Sequence, residues 1–293
     1  MLGTAATGTN RPLILISVDG GEGQRITIDK AANLYTFAEN LQYGEHSIRV
    51  IKLSEAIYNP LMVSYIRVMS NGSQEAALLV PPALPKRRIE FIGDSITCGF
   101  GVLSSSSSDP FTTAQEDGMQ TYAALTTAAF KADAHYICAS GKGVVKDING
   151  NTDQPFSKIF LSTSYQESIP WNFSTWQADV VVINAGTNDC SAKVTNDEFT
   201  AGAIDFLKLV RKEYPKAEII WCYGMMNTNM KPAITDAVDQ FNSTDGHAHY
   251  LFFNNVQGNE VGACGHPNAL GHKNRAPLLI DKIAEITGWS KNL

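Results

Sequence analysis

Ser95 and His266 are the residues of this chain whose types and settings best suit nucleophilic chemistry. Ser95 stands in Gly93-Asp94-Ser95-Ile96, directly after the apolar run Ile89–Ile92, with glycines following at 99 and 101. A strand that ends in a glycine-flanked serine holds a hydroxyl at the carboxyl edge of a sheet, where backbone N–H groups can face an oxyanion. A serine hydroxyl is a poor nucleophile near neutral pH and requires a hydrogen-bonded base. His266, in Gly265-His266-Pro267, is the candidate, because imidazole titrates in the useful range. Each residue has a plainer reading. Gly-Asp-Ser is also a common turn, and a histidine before proline can simply cap the helix that follows.

The elements that must position these groups come in two kinds. Residues 1–84 read as short strands separated by turns, with Ile14, Ile16 and Val18 alternating along the first clear one. Further strands are expected around Ile26–Ile28, His46–Leu53 and Leu61–Met69, which together suggest an antiparallel sandwich. Three prolines between positions 81 and 85 then stiffen the chain and mark a boundary. From 85 to 293 apolar strands alternate with helices, the pattern of a parallel sheet covered on both faces. The strands are Ile89–Ile92, His135–Ala139, Val180–Asn184, Glu218–Tyr223 and His249–Phe253. Thr195 and Glu198 form a capping box that opens a helix whose inner face is Phe199, Ala203, Phe206, Leu207, Val210 and Tyr214. Pro215 stops it. A last helix is expected over about 268–286, with Leu278, Leu279, Ile283 and Ile286 inward. The serine run Ser104–Ser108 reads as a flexible surface connection.

In such a sheet ligands bind outside the carboxyl ends of the strands. Three further segments end there: Ala139-Ser140-Gly141-Lys142-Gly143, Asn184-Ala185-Gly186-Thr187-Asn188-Asp189, and Gly262-Ala263-Cys264-Gly265-His266. All would share a rim with Ser95.

Composition narrows the partner. The net charge is −6, which argues against nucleic acid or an anionic membrane surface. No apolar run reaches the ~18 residues needed to span a bilayer. No leader with a basic start and an apolar core is visible. The five cysteines lack Cys-x-x-Cys spacing, so no zinc site is expected, and Cys138 and Cys222 read as small core hydrophobes. Asn-x-Ser/Thr triplets at Asn71, Asn172 and Asn242 say little about compartment in a chain this rich in Asn, Ser and Thr.

Gly93-Asp94-Ser95, the glycine-rich second loop, Gly186-Thr187-Asn188-Asp189 and His266-Pro267, in that order, resemble the sequence blocks of the SGNH or GDSL hydrolases. Arg88–Gly99 and Ser140-Gly141-Lys142-Gly143 are similar to carbohydrate esterase family 2, as is Leu41–Glu55 to part of that family's N-terminal jelly roll. The resemblance implies a jelly-roll sandwich over 1–84 and a three-layer α/β/α hydrolase domain with a five-stranded parallel sheet over 85–293. It implies oxyanion donors at the backbone N–H groups of Ser95 and Gly143 and the side-chain amide of Asn188, with Gly141 as the alternative second donor. Such donors contribute roughly 3 kcal/mol each where measured in other enzymes. It makes Trp221 a candidate sugar platform, with burial in the core as the rival reading. Tyr223, Trp171 and Trp176 are weaker candidates. The implied activity is removal of acetyl groups from plant polysaccharides or oligosaccharides, such as acetylxylan or 6-O-acetyl hexose units, by a secreted monomer that needs neither metal nor organic cofactor.

One departure from the SGNH pattern stands out. An aspartate usually precedes the histidine by three residues, and here that position is Ala263. No carboxylate lies closer before His266 than Glu260. A Ser–His dyad is therefore expected, with a backbone carbonyl orienting the ring. Asp189 reads as a structural acceptor. His247 and His249 beside Asp245 raise a metal reading but lack a third ligand, and His272 is expected to pack or cap. Two rivals remain: a GDSL lipase or thioesterase, and a carbohydrate-binding protein whose esterase site has decayed.

Overall fold

The computed structural model describes residues 1–292 except 5–7, 59, 71, 73–74 and 166–168, so the triplet at Asn71 lies outside the described residues. The N-terminal region has five short strands: β1 (Leu2–Gly3), β2 (Leu13–Val18), β3 (Gln24–Thr27), β4 (Ile48–Lys52) and β5 (Met62–Val63). β2 is the centre of a three-stranded antiparallel sheet between β3 and β4, and β1 pairs with β5. The period of two read from the sequence places Ile14 and Ile16 inward, where they meet Leu2 and Ile28 in a small core. The antiparallel character is as expected, but sheets of three and two strands do not by themselves make up a jelly roll. The strand expected over Leu61–Met69 shrinks to Met62–Val63, and Tyr65, Ile66, Val68 and Met69 beyond it are exposed.

Past the prolines the sheet is parallel. Its strands are β6 (Arg88–Gly93), β7 (Asp133–Cys138), β8 (Val180–Asn184), β9 (Glu218–Tyr223) and β10 (Ala248–Phe252), in the order β10-β9-β8-β6-β7. Side chains of β8 and β9 alternate between two cores. Val181, Ile183, Ile219 and Trp221 face α5 (Asn196–Glu213) and α6 (Lys231–Asn242), while Val180, Val182, Ile220 and Cys222 face α2 (Tyr122–Phe130) and α7 (Ala269–Thr287). The result is the expected three-layer α/β/α domain. The Thr195–Glu198 capping box closes in both directions, and the predicted inner face of α5 is buried. In α7, Leu279, Ile280 and Ile283 are buried, but Leu278 is 44% exposed, contrary to expectation. Three consecutive positions cannot all face one way at 100° per residue, and Leu278 is the one turned out.

The two regions are joined by hydrogen bonds as well as by the chain. Thr113 donates its hydroxyl to Arg11 O and its amide to Asn10 Oδ1, and Gly118 N–H donates to Leu53 O. The Arg25 guanidinium meets the buried Asp117 carboxylate.

Candidate active site

The strand order reverses between β6 and β8: the chain goes from β6 outward to β7 on one side, and from β8 outward to β9 on the other. A crevice at such a switch point is where open α/β sheets bind ligands. Ser95 follows β6 and Asn188 follows β8, so both candidates stand at it.

Local geometry makes the serine turn. β6 ends at Gly93, where any Cβ would come within 2.1 Å of Thr97 Oγ1 and 2.9 Å of Asn184 O. Asp94 then caps a single helical turn, α1 (Ser95–Cys98), accepting a hydrogen bond from Ile96 N–H at 3.0 Å. Ser95 is the first residue of that turn, and its own N–H is one of the orphan donors of a helix start.

His266 reaches this point from 171 residues away. Its Nε2 lies 2.8 Å from Ser95 Oγ, the distance of a nucleophile–base hydrogen bond. A tight loop holds it there. Val261 and Pro267 form an antiparallel bridge, Gly262 N–H donates to His266 O at 2.7 Å, and Asn268 caps α7 through Gly271 N–H at 3.1 Å. Ala269 N–H donates to Val102 O at 3.0 Å, which ties the histidine loop to the serine loop. Phe100 lies against the imidazole, ring centres 4.3 Å apart, and Phe111 stacks on Phe100.

For Ser95 to donate its proton, the ring's own proton must sit on Nδ1. That atom is buried and, among the described residues, has no hydrogen-bond partner. Burial lowers the imidazole pKa to about 4; the carbonyls of Ala263 and Cys264 oppose this and favour the charged ring. The expected orienting carbonyl is therefore not found: among the described residues no carbonyl makes a hydrogen bond to Nδ1. Among the described residues no carboxylate completes a triad. Position 263, an alanine, is fully buried and packs against Gly101, where a Cβ would come within 2.8 Å of the Ala263 methyl. Glu260 is committed elsewhere. It pairs with Arg275 at 2.5 Å and accepts from Asn274 at 2.7 Å, and the Arg275 hydrogen bond leads in holding its pKa down at about 2.

The oxyanion side is built from the two loops after β7 and β8. The Asn188 side-chain amide donates to Lys142 O at 2.8 Å and to Asp94 Oδ2 at 3.3 Å. In a trans peptide the C=O and N–H point opposite ways, so fixing Lys142 O fixes the direction of Gly143 N–H. That amide donates to no protein acceptor among the described residues. Gly143 could not be another residue: a Cβ would lie 2.0 Å from Lys146 O and 2.6 Å from Asp189 Oδ2. Asp189 accepts from the amides of Val144, Val145 and Lys146, the structural acceptor expected of it. The Lys142–Gly143 peptide is linked through Asn188 to Asp94, the residue before Ser95. Burial leads in raising the Asp94 pKa to about 7, against the Ile96 N–H that stabilises its charge.

Other sequence candidates lie elsewhere. Trp221 is fully buried in the centre of β9, its Nε1 donating to Ala185 O at 3.1 Å. The sugar-platform expectation is therefore corrected: β9 is covered on both faces, and Trp221 supports the Asn188 loop from beneath. Tyr223 and Trp176 are also buried, and Trp171 packs against the same core. His247 and His249 bracket Glu218 at the opposite end of the sheet, and buried His272 accepts from Tyr122 N–H. Ser104 is buried and bonds Asp109 and Ser106 O, so the serine run begins as an anchored turn rather than a loose connection. All five cysteines are free; Cys222 is buried and Cys138 only half-buried.

Two groups near the site escaped the sequence reading. Glu55, from the N-terminal region, accepts both the amide and the hydroxyl of Ser140. With Glu116 and Cys98 it places three donor atoms within 4.8 Å of one another, a set that could attract a cation. Both Glu55 oxygens are already taken by Ser140, and the half-buried Lys52 ammonium supplies positive charge beside Glu55 and Glu116. The second group is the aromatic run Phe100–Phe111–Tyr58 beside His266.

Residues 91–273 match the GDSL-like Lipase/Acylhydrolase family, and residues 4–78 match the Carbohydrate esterase 2 N-terminal family. Over 93% of its length the chain is 29% identical to the cellulase/esterase CelE of Acetivibrio thermocellus, of which it spans about a third, 34%. It is 26% identical to an acetylxylan esterase / glucomannan deacetylase of Cellvibrio japonicus, over 90% of this chain and 76% of that one. Among solved structures, a family two carbohydrate esterase from Clostridium thermocellum in complex with cellohexaose superposes with a TM-score of 0.87 at 27% identity, covering 98% of this chain and 88% of that one.

Proposed function

The chain belongs to the GDSL-like lipase/acylhydrolase family, and from that premise we propose that it is a carbohydrate O-acetyl esterase of carbohydrate esterase family 2. The observation that carries the reading is the 2.8 Å approach of His266 Nε2 to Ser95 Oγ at the sheet's switch point. Ser95 attacks the acetyl carbonyl while His266 takes its proton. The oxyanion is met by the N–H groups of Ser95 and Gly143 and by Asn188, whose longer bond to Asp94 can be shared. His266 then protonates the departing sugar hydroxyl, and water activated by the same ring releases acetate. Because burial keeps the imidazole neutral, the base is ready without a carboxylate partner.

The substrates proposed are acetylated plant polysaccharides or their oligosaccharides, in keeping with what the named relatives act on. Such polymers lie outside cells, so the reading implies export. A lipase reading draws on the Phe100–Phe111–Tyr58 cluster, an aromatic group beside the base. Comparing acetyl with octanoyl nitrophenyl esters separates the two, and the esterase proposal expects preference for acetyl. Acetate release from acetylated xylan or glucomannan, abolished in Ser95→Ala, tests it directly. Tight polysaccharide binding without acetate release would instead support a carbohydrate-binding protein.

A further inference from the structure

Among the described residues, every side chain from outside the loop Ser140–Gly143 that hydrogen-bonds it belongs to the catalytic domain except one. Asn188 holds its far end at Lys142 O, and Asp189 gathers the amides of residues 144–146 just beyond. Its near end is held by Glu55, the residue that leads out of β4 through Leu53 and Ser54. One carboxylate oxygen accepts Ser140 N–H at 2.8 Å and the other accepts the Ser140 hydroxyl.

Glu55 is itself held. Its own N–H donates to Glu116 Oε2 at 3.1 Å, and the preceding Leu53 carbonyl accepts Gly118 N–H at 2.9 Å. Glu55 and Glu116 are both buried, so the pair favours holding a proton. The hydrogen bonds decide where it sits. Both oxygens of Glu55 accept from Ser140, which favours the carboxylate there, whereas Glu116 Oε1 is buried and, among the described residues, has no hydrogen-bond partner. Burial and the neighbouring Glu55 charge push Glu116 well up, while the two Ser140 donors oppose the rise at Glu55.

We infer that Glu55 is a positioning residue for the oxyanion loop, so that the N-terminal region completes the catalytic site instead of merely accompanying it. It touches no reacting atom. It acts through Ser140, setting the start of the four-residue loop whose end supplies Gly143 N–H. This inference rests on the esterase reading and deepens it.

The test uses the full chain and pairs Glu55→Ala with Glu55→Gln. A glutamine can still accept Ser140 N–H through its oxygen and donate to the Ser140 hydroxyl through its nitrogen, whereas alanine cuts both bonds. Each variant is titrated for reactive Ser95 so that rates refer to functional sites only. Activity is then measured on an acetyl nitrophenyl ester and on its thiono counterpart, whose sulfur is a weak hydrogen-bond acceptor and draws little from the oxyanion donors. The inference expects Glu55→Ala to lower kcat on the oxygen ester about 10- to 100-fold at nearly unchanged KM, as loop misplacement does. It expects the thionoester rate to fall much less and Glu55→Gln to restore most of the loss. Equal loss on both esters, or an alanine variant within a factor of about 3 of wild type, overturns it. If Glu55→Ala does not fold, Ser140→Ala, which removes the hydroxyl half of the tie, is judged by the same ester-to-thionoester ratio. Wild-type protein inactive on every acetyl ester would count against the esterase reading itself, a result distinct from either outcome for Glu55.

Discussion

Histidines stand at both ends of the parallel sheet, and the contrast between them shows what makes one a base. At the amino ends of β9 and β10, His247 Nδ1 and His249 Nε2 lie 2.9 Å and 3.0 Å from the two oxygens of Glu218. They have the carboxylate that a triad would supply, but the His247 side chain is 65% exposed and, among the described residues, no nucleophile is paired with it. At the carboxyl ends His266 has no carboxylate among the described residues, is half-buried with its Nδ1 enclosed, and meets Ser95. On the proposed reading a partner acid is therefore not the distinguishing feature. Position at the switch point and removal from water are, because they keep the imidazole unprotonated beside a hydroxyl.

The largest effect that sharpens this contrast comes from the histidines themselves. His266→Ala is expected to lower kcat by a factor of about 10³ or more, as is Ser95→Ala, while His247→Ala and His249→Ala leave it within about twofold. Parallel losses at both ends of the sheet would break the comparison. Next is Asn188→Ala, expected to reduce kcat about 10²- to 10³-fold by removing an oxyanion donor and loosening Lys142 O.

A third effect is a pH shift. With burial lowering the His266 pKa to about 4, the acid limb of kcat/KM should have its midpoint near that value, well below the ordinary 6.5 of an exposed histidine. An acid limb at 6.5 would mean that the ring is wetter than its packing indicates. Smaller still is Glu260→Gln, expected to keep kcat within about threefold because Glu260 serves Arg275 and not His266. Its depressed pKa favours folding above 4.5, and that contribution is lost as pH falls toward about 2, so the variant's stability should differ from wild type least in strong acid.

The smallest effect on activity is expected at Glu90. It is buried in β6, accepts the Tyr214 hydroxyl at 2.6 Å, and has its pKa raised by burial to about 7. A raised carboxyl stabilises the fold fully below 4.5 and loses that contribution as pH climbs through 7. Glu90→Gln should leave kcat unchanged and flatten the stability profile between those values, measured as Tm against pH, by up to about 3 kcal/mol.

The same contrast explains what could be read from residues alone. Ser95, Asn188 and His266 were legible because each lies in a short motif at a strand end, where local sequence decides the turn. The five parallel strands were legible from their apolar runs, three of them within two residues at either end and Val180–Asn184 and Glu218–Tyr223 at both. Trp221 was misplaced because a central strand is buried on both faces, so its alternation carries no signal for which end of a side chain meets solvent. Leu61–Met69 has strand composition without a partner along most of its length, and pairing is not a property of one segment. Glu55 was invisible as a site residue because its contact with Ser140 spans 85 positions and depends on how the two regions dock.

The central claim, that an acid-free Ser95–His266 pair performs acetyl transfer, is met most directly by rapid-quench trapping followed by mass spectrometry of the digested protein. With an acetylated substrate in excess, one acetyl group should appear on the peptide carrying Ser95 before steady state, and should be absent from Ser95→Ala and His266→Ala. Acetate released with that peptide unmodified, or an acetyl group carried by any other residue, would contradict the account.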